Sequence, residues 1–182
     1  MSIQRTKALF ERLRHPFSAR HVQLLAREYI SPNFIRLTLG GPDMAGFKSL
    51  GFDDHVKLIL PQAGQQKPNL PYLVDEKPQV DEPRPIMRDY TPLNYDERLN
   101  TIELDFALHA GNGPAMQWAK TAPIGQWAGL AGLRGSWAIA SGLDWYVLLG
   151  DETALPAIER WHGLYMGRGR AQPDGGFAHR IA

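Results

Sequence analysis

Arg88-Asp89-Tyr90-Thr91 places a guanidinium, an aromatic ring and a hydroxyl within four residues. On a strand, alternation sends Arg88 and Tyr90 to one face. A planar, permanently charged phosphate binder then stands beside an aromatic plane, with Thr91 next door. An ordinary strand carries the same residue types, and that alternative stays open. Further along, His109-Ala-Gly-Asn-Gly-Pro-Ala-Met-Gln-Trp118 reads as a strand end, a Gly-rich turn and a helix start. Unpaired N–H groups and the helix dipole make such a place attractive to phosphate; a plain connection with Trp118 in the core is the other reading. Gly150-Asp-Glu-Thr-Ala154 is again a strand end opening into a helix, the ligand position of α/β sheets. Asp151 and Glu152 equally suit a bare helix N-terminus.

Other chemistries find no footing. His15, His21, His55, His109, His162 and His179 show no HxH or HExxH spacing, so no protein-held metal site is expected. There is no Gly-x-Ser-x-Gly elbow. The chain has no cysteine, which excludes disulfides, thiolate sites, iron–sulfur clusters and a cysteine nucleophile and fits a cytoplasmic setting.

The elements that would position these groups are mostly short strands. In 34–39, Ile35, Leu37 and Leu39 alternate with Arg36 and Thr38. In 55–60, Val56, Leu58 and Leu60 face inward while His55, Lys57 and Ile59 point away, and 101–109 sets Ile102, Leu104, Phe106 and Leu108 against Glu103, Asp105, Ala107 and His109. Weaker strands are expected over 21–29, 87–93 and 127–132. Six short strands with turn punctuation predict a mainly β fold, a small antiparallel barrel. A short helix is expected over 114–121, with Pro114 at its first position. The apolar run 145–150 suits a strand buried in a parallel sheet, with a helix from about Ala154 to Trp161. The insert 62–85 contains five prolines and reads as a loop.

The 182 residues, 43% of them hydrophobic, bound the answer to about one domain and a fragment of a second. The net charge of +1 hides five Lys/Arg against Glu11 in residues 1–21 and four Arg against Asp174 in 160–182. The middle is acidic. Positive charge at both ends of the chain, without a basic folded face, argues against nucleic acid. No apolar run approaches the ~18 residues that span a bilayer, so no membrane partner is expected.

Order and spacing add a family. Seven stretches in sequence resemble the siderophore-interacting protein family of FAD-dependent ferric-siderophore reductases, built on a ferredoxin-reductase-type flavin domain. They are Leu39-Gly-Gly-Pro-Asp43, Phe52-Asp-Asp-His-Val-Lys-Leu58, Met87-Arg-Asp-Tyr-Thr-Pro92, Leu104-Asp-Phe-Ala-Leu-His109, Gly113-Pro-Ala-Met-Gln-Trp-Ala119, Leu130-Ala-Gly-Leu-Arg-Gly-Ser136 and Asp144 through Ala157. The resemblance implies a six-stranded Greek-key barrel over 18–141, after an N-terminal basic extension (1–17) and before an incomplete α/β nucleotide-binding segment (142–182). It implies FAD, held by Arg88, Asp89, Tyr90 and Thr91. Asp105, Leu108 and His109 would contribute mostly through backbone groups, and Gly113, Pro114, Ala115 and Met116 would cap the pyrophosphate. Met116 stands where the family often has Ser. Gly150, Asp151, Glu152, Thr153 and Ala154 would meet the nicotinamide of NADPH or NADH. Lys57 and Arg134 are candidates for capturing an anionic ferric siderophore. No acid–base residue is required.

The implied activity is NAD(P)H-dependent reduction of ferric siderophores through FAD. The alternatives are a flavin-binding or electron-carrying module with impaired NAD(P)H use, and a general NAD(P)H-flavin reductase. The family pattern stops near Glu159, and residues 163–182 show no further parallel strand, as expected of a truncated or frame-shifted product. Strand 145–149 would then have an exposed edge, open to association with another chain.

Overall fold

The computed structural model describes residues 10–109, 111, 113–139 and 145–165. In chain order the strands are β1 (Phe10–Arg14), β2 (Ala19–Ser31), β3 (Phe34–Gly40), β4 (Val56–Leu60), β5 (Tyr72–Val74), β6 (Lys77–Gln79), β7 (Ile86–Tyr90), β8 (Leu93–Asp96), β9 (Thr101–Ala107), β10 (Trp127–Ala131) and β11 (Gly135–Ile139). The helices are α1 (Pro114–Thr121) and α2 (Leu155–Tyr165). Seven strands form one antiparallel sheet in the order β7-β4-β10-β2-β3-β9-β8. The mainly β class expected from alternation is the one the chain adopts.

Register follows from the apolar pattern. Ile35, Leu37 and Leu39 of β3 stand opposite Phe106, Leu104 and Ile102 of β9, and these side chains are fully buried or nearly so. A one-residue slip of either strand would turn its apolar row to solvent. The same register sets Arg36 opposite Asp105 on the other face. There Nε and Nη2 donate to Oδ1 and Oδ2 at 2.7 and 2.8 Å. Helix α1 ends against Arg27, whose guanidinium donates to the carbonyls of Ala119 and Ala122. A cation at that end favours the helix dipole.

β7 and β8 stand at opposite edges of the sheet, yet only Thr91 and Pro92 separate them in the chain. So short a link reaches at most about 11 Å, whereas the flat sheet would be about 29 Å wide. The sheet therefore curls until its edges are neighbours. Tyr90 of β7 meets Phe106 of β9 with ring centroids 4.2 Å apart. Among the described residues no ladder joins β7 to β8.

Several expectations are corrected. The sheet has seven strands, not six, because the stretch 87–93 breaks at Pro92, which has no N–H to continue a ladder. Part of the expected basic extension, residues 10–14, is a strand paired with β11. The insert 62–85 is more than a loop: it carries the β5–β6 hairpin, and Leu70 folds back over Gly129 and Ile59. A Cβ on Gly129 would lie 2.4 Å from Leu70 Cδ2, and Ile59, expected outside, is fully buried. The strand expected over 145–149 is not formed. No neighbouring strand is present among the described residues to satisfy its backbone, and a single strand is not stable alone. Trp145, Val147 and Leu149 are exposed, and the edge expected to associate with another chain is missing with the strand. The expected boundary at 141/142, Asp144, residues 1–9 and the tail from 166 onward lie outside the described residues.

One buried acid ties the loop before β4 to the two-stranded ladder. Asp54 is 3% exposed, and its Oδ2 accepts from Ser49 Oγ (2.7 Å), Gly51 N (3.0 Å) and Ser136 Oγ (2.8 Å). Ser136 Oγ also lies 2.8 Å from His15 Nε2. The serine stands between acid and imidazole and is fully buried, so the set is a structural node and not a nucleophile with its base. Asp54→Ala leaves three donors without their acceptor and should cost about 3 kcal/mol. Asp53→Ala, at its exposed neighbour, should change stability by less than about 0.5 kcal/mol. Urea denaturation of the two variants measures the contrast, and equal midpoints would show that the node is dispensable.

Candidate functional site

Where the curled edges meet, a cleft of about 470 Å³ opens at the surface. Arg88, Asp89, Tyr90 and Thr91 line one wall, Asp105, Ala107 and His109 the other, and Glu152, Thr153 and Pro156 close the mouth. The structure thus brings together residues from three of the predicted segments.

Arg88 lies opposite Leu58 in the β4–β7 ladder, and Tyr90 opposite Val56. Both share the core-side face of the sheet, at the point where the core gives way to solvent. Arg88 is exposed. Its Nη1 donates only to the carbonyl of Met87, at 2.7 Å, and among the described residues no carboxylate pairs with it. Asp89 projects from the opposite face, where Lys57 is its ladder partner. Lys57 Nζ donates to its two carboxylate oxygens at 2.8 and 3.1 Å. Burial pushes the Tyr90 hydroxyl up to about 12, with the Arg88 charge opposing. The ring therefore presents a neutral phenol at ordinary pH.

The second wall offers backbone. β8 pairs with β9 only through Leu93↔Glu103 and Asp96↔Thr101. Beyond Leu93 that edge of β9, alongside Asp105 to Ala107, has no strand partner among the described residues. The Asp105 side chain, 8% exposed, is committed to Arg36, so this residue can offer the cleft only its main chain. Asp105's hydrogen bonds, then the charges of Asp105, Glu159 and Glu103, raise the guanidinium of Arg36 further above its ordinary value against the opposing effect of burial. Leu108 is held by its N–H to the carbonyl of Asn33 (2.7 Å), and His109 Nδ1 accepts from Gly111 N (3.2 Å).

The α1 start lies outside the cleft-lining residues. Gly113 and Pro114 are exposed, Ala115 and Met116 buried. No side chain caps the helix, and its first backbone bond runs from Gln117 N to Gly113 O. The N–H groups of Ala115 and Met116 precede that bond. With its side chain buried, Met116 has only its N–H to offer a ligand.

The 150–154 turn is built locally. Asp151 Oδ1 accepts from Thr153 N (2.9 Å) and Thr153 Oγ1 (2.6 Å). These bonds hold the Asp151 carboxyl below its ordinary value. A Cβ on Gly150 would lie 2.3 Å from Ala154 Cβ, so the tight approach requires glycine. Glu152 and Thr153 reach the cleft; Gly150, Asp151 and Ala154 stand behind them. Lys57 and Arg134 are not among the lining residues, and Arg134 is exposed.

Sequence reasoning missed Phe34, His55 and Pro156 in the lining, and the clamps around it. Arg160 of α2 donates to the carbonyls of Pro92, Gly51 (2.6 Å) and Ser49 (3.4 Å). Glu159 accepts from Arg36 Nη2 at 3.2 Å. The polar positions of β3 and β9 signal Arg36 and Asp105, but only once their register is known.

Known proteins resemble the chain in sequence and in fold. The chain is 40% identical over 152 residues to a protein of Escherichia coli (strain K12) named "NADPH-dependent ferric-chelate reductase", covering 82% of this chain and 58% of that one. It is 32% identical over 139 residues to "Ferric vibriobactin reductase ViuB" of Vibrio cholerae, covering 76% and 51% respectively. The chain therefore spans a little over half the length of these relatives. Among solved structures, a siderophore utilization protein from T. fusca superposes with a TM-score of 0.73 at 38% identity, covering 83% of this chain and 57% of the other. SipS, a siderophore-interacting protein from Aeromonas hydrophila, gives 0.59 at 28%, covering 84% and 57%. Residues 23–137, which hold most of the sheet and both cleft walls, match the profile described as "Siderophore-interacting FAD-binding domain", and the chain belongs to that family.

Proposed function

We propose that the cleft binds FAD and that the whole protein reduces ferric siderophores with electrons from NADPH or NADH. The carrying observation is Arg88, a guanidinium without a carboxylate partner among the described residues, on the same strand face as the neutral ring of Tyr90. The free β9 edge and the uncapped N–H groups of α1 add donors for an elongated anion. Such a set fits a ligand with a pyrophosphate and a flat aromatic system.

In this reading Arg88 pairs with the pyrophosphate, supported by Gly113, Pro114, Ala115 and Met116 through the α1 start. Tyr90 packs on the ring system, while Thr91 offers a hydroxyl at its edge. Asp105, Leu108 and His109 give main-chain contacts on the far wall. Asp89 contributes its backbone, because Lys57 neutralises its carboxylate and so spares the phosphates a repulsive neighbour. Gly150 to Ala154 present Glu152 and Thr153 to the nicotinamide side. Arg134, exposed, is the cation proposed to draw in an anionic ferric siderophore, with Lys57 secondary because Asp89 already holds it. FAD, when bound, accepts a hydride and delivers electrons singly to Fe(III), and Fe(II) is held less well by hard oxygen ligands. The protein's part is binding, orientation and electrostatics. The reduced nicotinamide donor suits the proposed cytoplasmic setting.

Arg88→Ala should weaken FAD binding about tenfold to a hundredfold, the loss of a charge-assisted contact worth ~1.5–3 kcal/mol. A fluorescence titration measures it, and an unchanged Kd would remove the assignment. Because 145–149 forms no sheet strand, NADPH should bleach the bound flavin slowly while dithionite bleaches it fast. Stopped-flow absorbance compares the two. Fast, saturable bleaching by NADPH would show that the 150–154 turn suffices to seat the nicotinamide.

A further inference from the structure

We infer that Glu159 and Arg160 are positioning residues: α2 staples the two walls of the cleft and sets the gap into which the flavin fits. The inference rests on the FAD reading. Consecutive residues on a helix diverge by about 100°, and these two use that divergence to reach opposite walls. Arg160, its side chain only 11% exposed, donates to the carbonyl of Pro92, which follows Thr91 directly, and to those of Gly51 and Ser49, with its Nη2 3.8 Å from the Asp54 carboxylate. Glu159 accepts from Arg36 Nη2, and the same nitrogen donates to Asp105 Oδ2 on the opposite wall. Pro156, one turn earlier on α2, lines the cleft. No ladder joins the edge strands among the described residues, so beside the Thr91-Pro92 link and the Tyr90–Phe106 ring contact no interstrand hydrogen bonds brace this gap. The helix spans it instead.

The experiment uses the 182-residue chain, with FAD as the probe, at a temperature well below each variant's unfolding midpoint. Arg160→Met should raise the FAD Kd about tenfold by loosening a preorganised site, and should alter the visible circular dichroism of the flavin at saturation. Arg160→Lys, which keeps the charge but not the planar fork of donors, should restore part of both. Glu159→Lys places a cation against Arg36 on an exposed position and should raise the Kd about threefold, in the range of surface ion pairs. If Arg160→Met does not fold, Glu159→Lys decides. Wild-type Kd and wild-type visible dichroism in the charge-reversed variant, alongside weakened binding by Arg88→Ala, would overturn the staple and leave the FAD reading intact. Failure of the unaltered chain to bind FAD would overturn the cofactor reading first and the staple with it.

Discussion

The link Thr91-Pro92 joins the two outermost strands of a seven-stranded sheet, and the rest of the site depends on that shortness. A sheet tied edge to edge by so brief a connection must roll up, yet Pro92 removes a ladder donor where the edges come together. The result is a curled sheet with an unlaced seam. Inside the curl the paired apolar rows of β3 and β9 build the core. At the seam the same core-side face of β7 runs out into solvent, and the residues it carries there are Arg88 and Tyr90. Core and cleft are therefore one surface, divided by where the curl stops being covered.

Charge distribution around the seam has a consistent logic. Arg36 is clamped by Asp105, Glu103 and Glu159 at 2.7, 3.5 and 3.2 Å. Lys57 holds Asp89, and Arg160 donates to backbone carbonyls with the Asp54 carboxylate 3.8 Å away. These cations hold the walls and lower the negative potential around the cleft, and Arg88 stays open to an anion. The pairs are not of equal weight. Lys57 and Asp89 are half-exposed, and such a pair is worth about 0–1 kcal/mol. Arg36–Asp105 is bidentate with a nearly buried carboxylate, and hydrogen bonds to charged groups of that kind contribute about 1.5–3 kcal/mol.

How much of this the residues disclose in advance depends on whether the determinant is local. The alternation in 34–39 and 101–109 is complete within each stretch, and both strands form there, the second ending at Ala107, before Leu108 and His109. So does α1, whose Pro114 start and amphipathic spacing are self-contained. β1 escapes notice because Phe10–Arg14 carries charges at Glu11, Arg12 and Arg14 and acquires its strand character only from β11, more than a hundred residues away. Ile59 reads as outward-facing until Leu70 of the insert covers it. The tetrad Arg88–Thr91 is legible as chemistry, but its lack of an acidic partner is a property of the assembled wall. The same holds for Lys57: its cation is plain in the chain, while its pairing with Asp89 is set by the β4–β7 register.

The segment after residue 144 shows the two kinds of determinant side by side. Trp145 to Leu149 have strand composition, but a buried parallel strand exists only through neighbours on both sides, and none is present among the described residues. They form no strand, and Trp145, Val147 and Leu149 are exposed. The turn that follows needs no such help. Gly150 permits the close approach to Ala154, Asp151 caps the first N–H groups, and α2 proceeds with Trp161 buried and stacked against Tyr146 at 5.0 Å. Its Glu159 and Arg160 then find partners on the sheet itself. A capped helix start is specified by a handful of adjacent residues, a strand by a sheet. That difference explains how the mouth of the cleft keeps its shape beside a stretch whose own expected fold is missing.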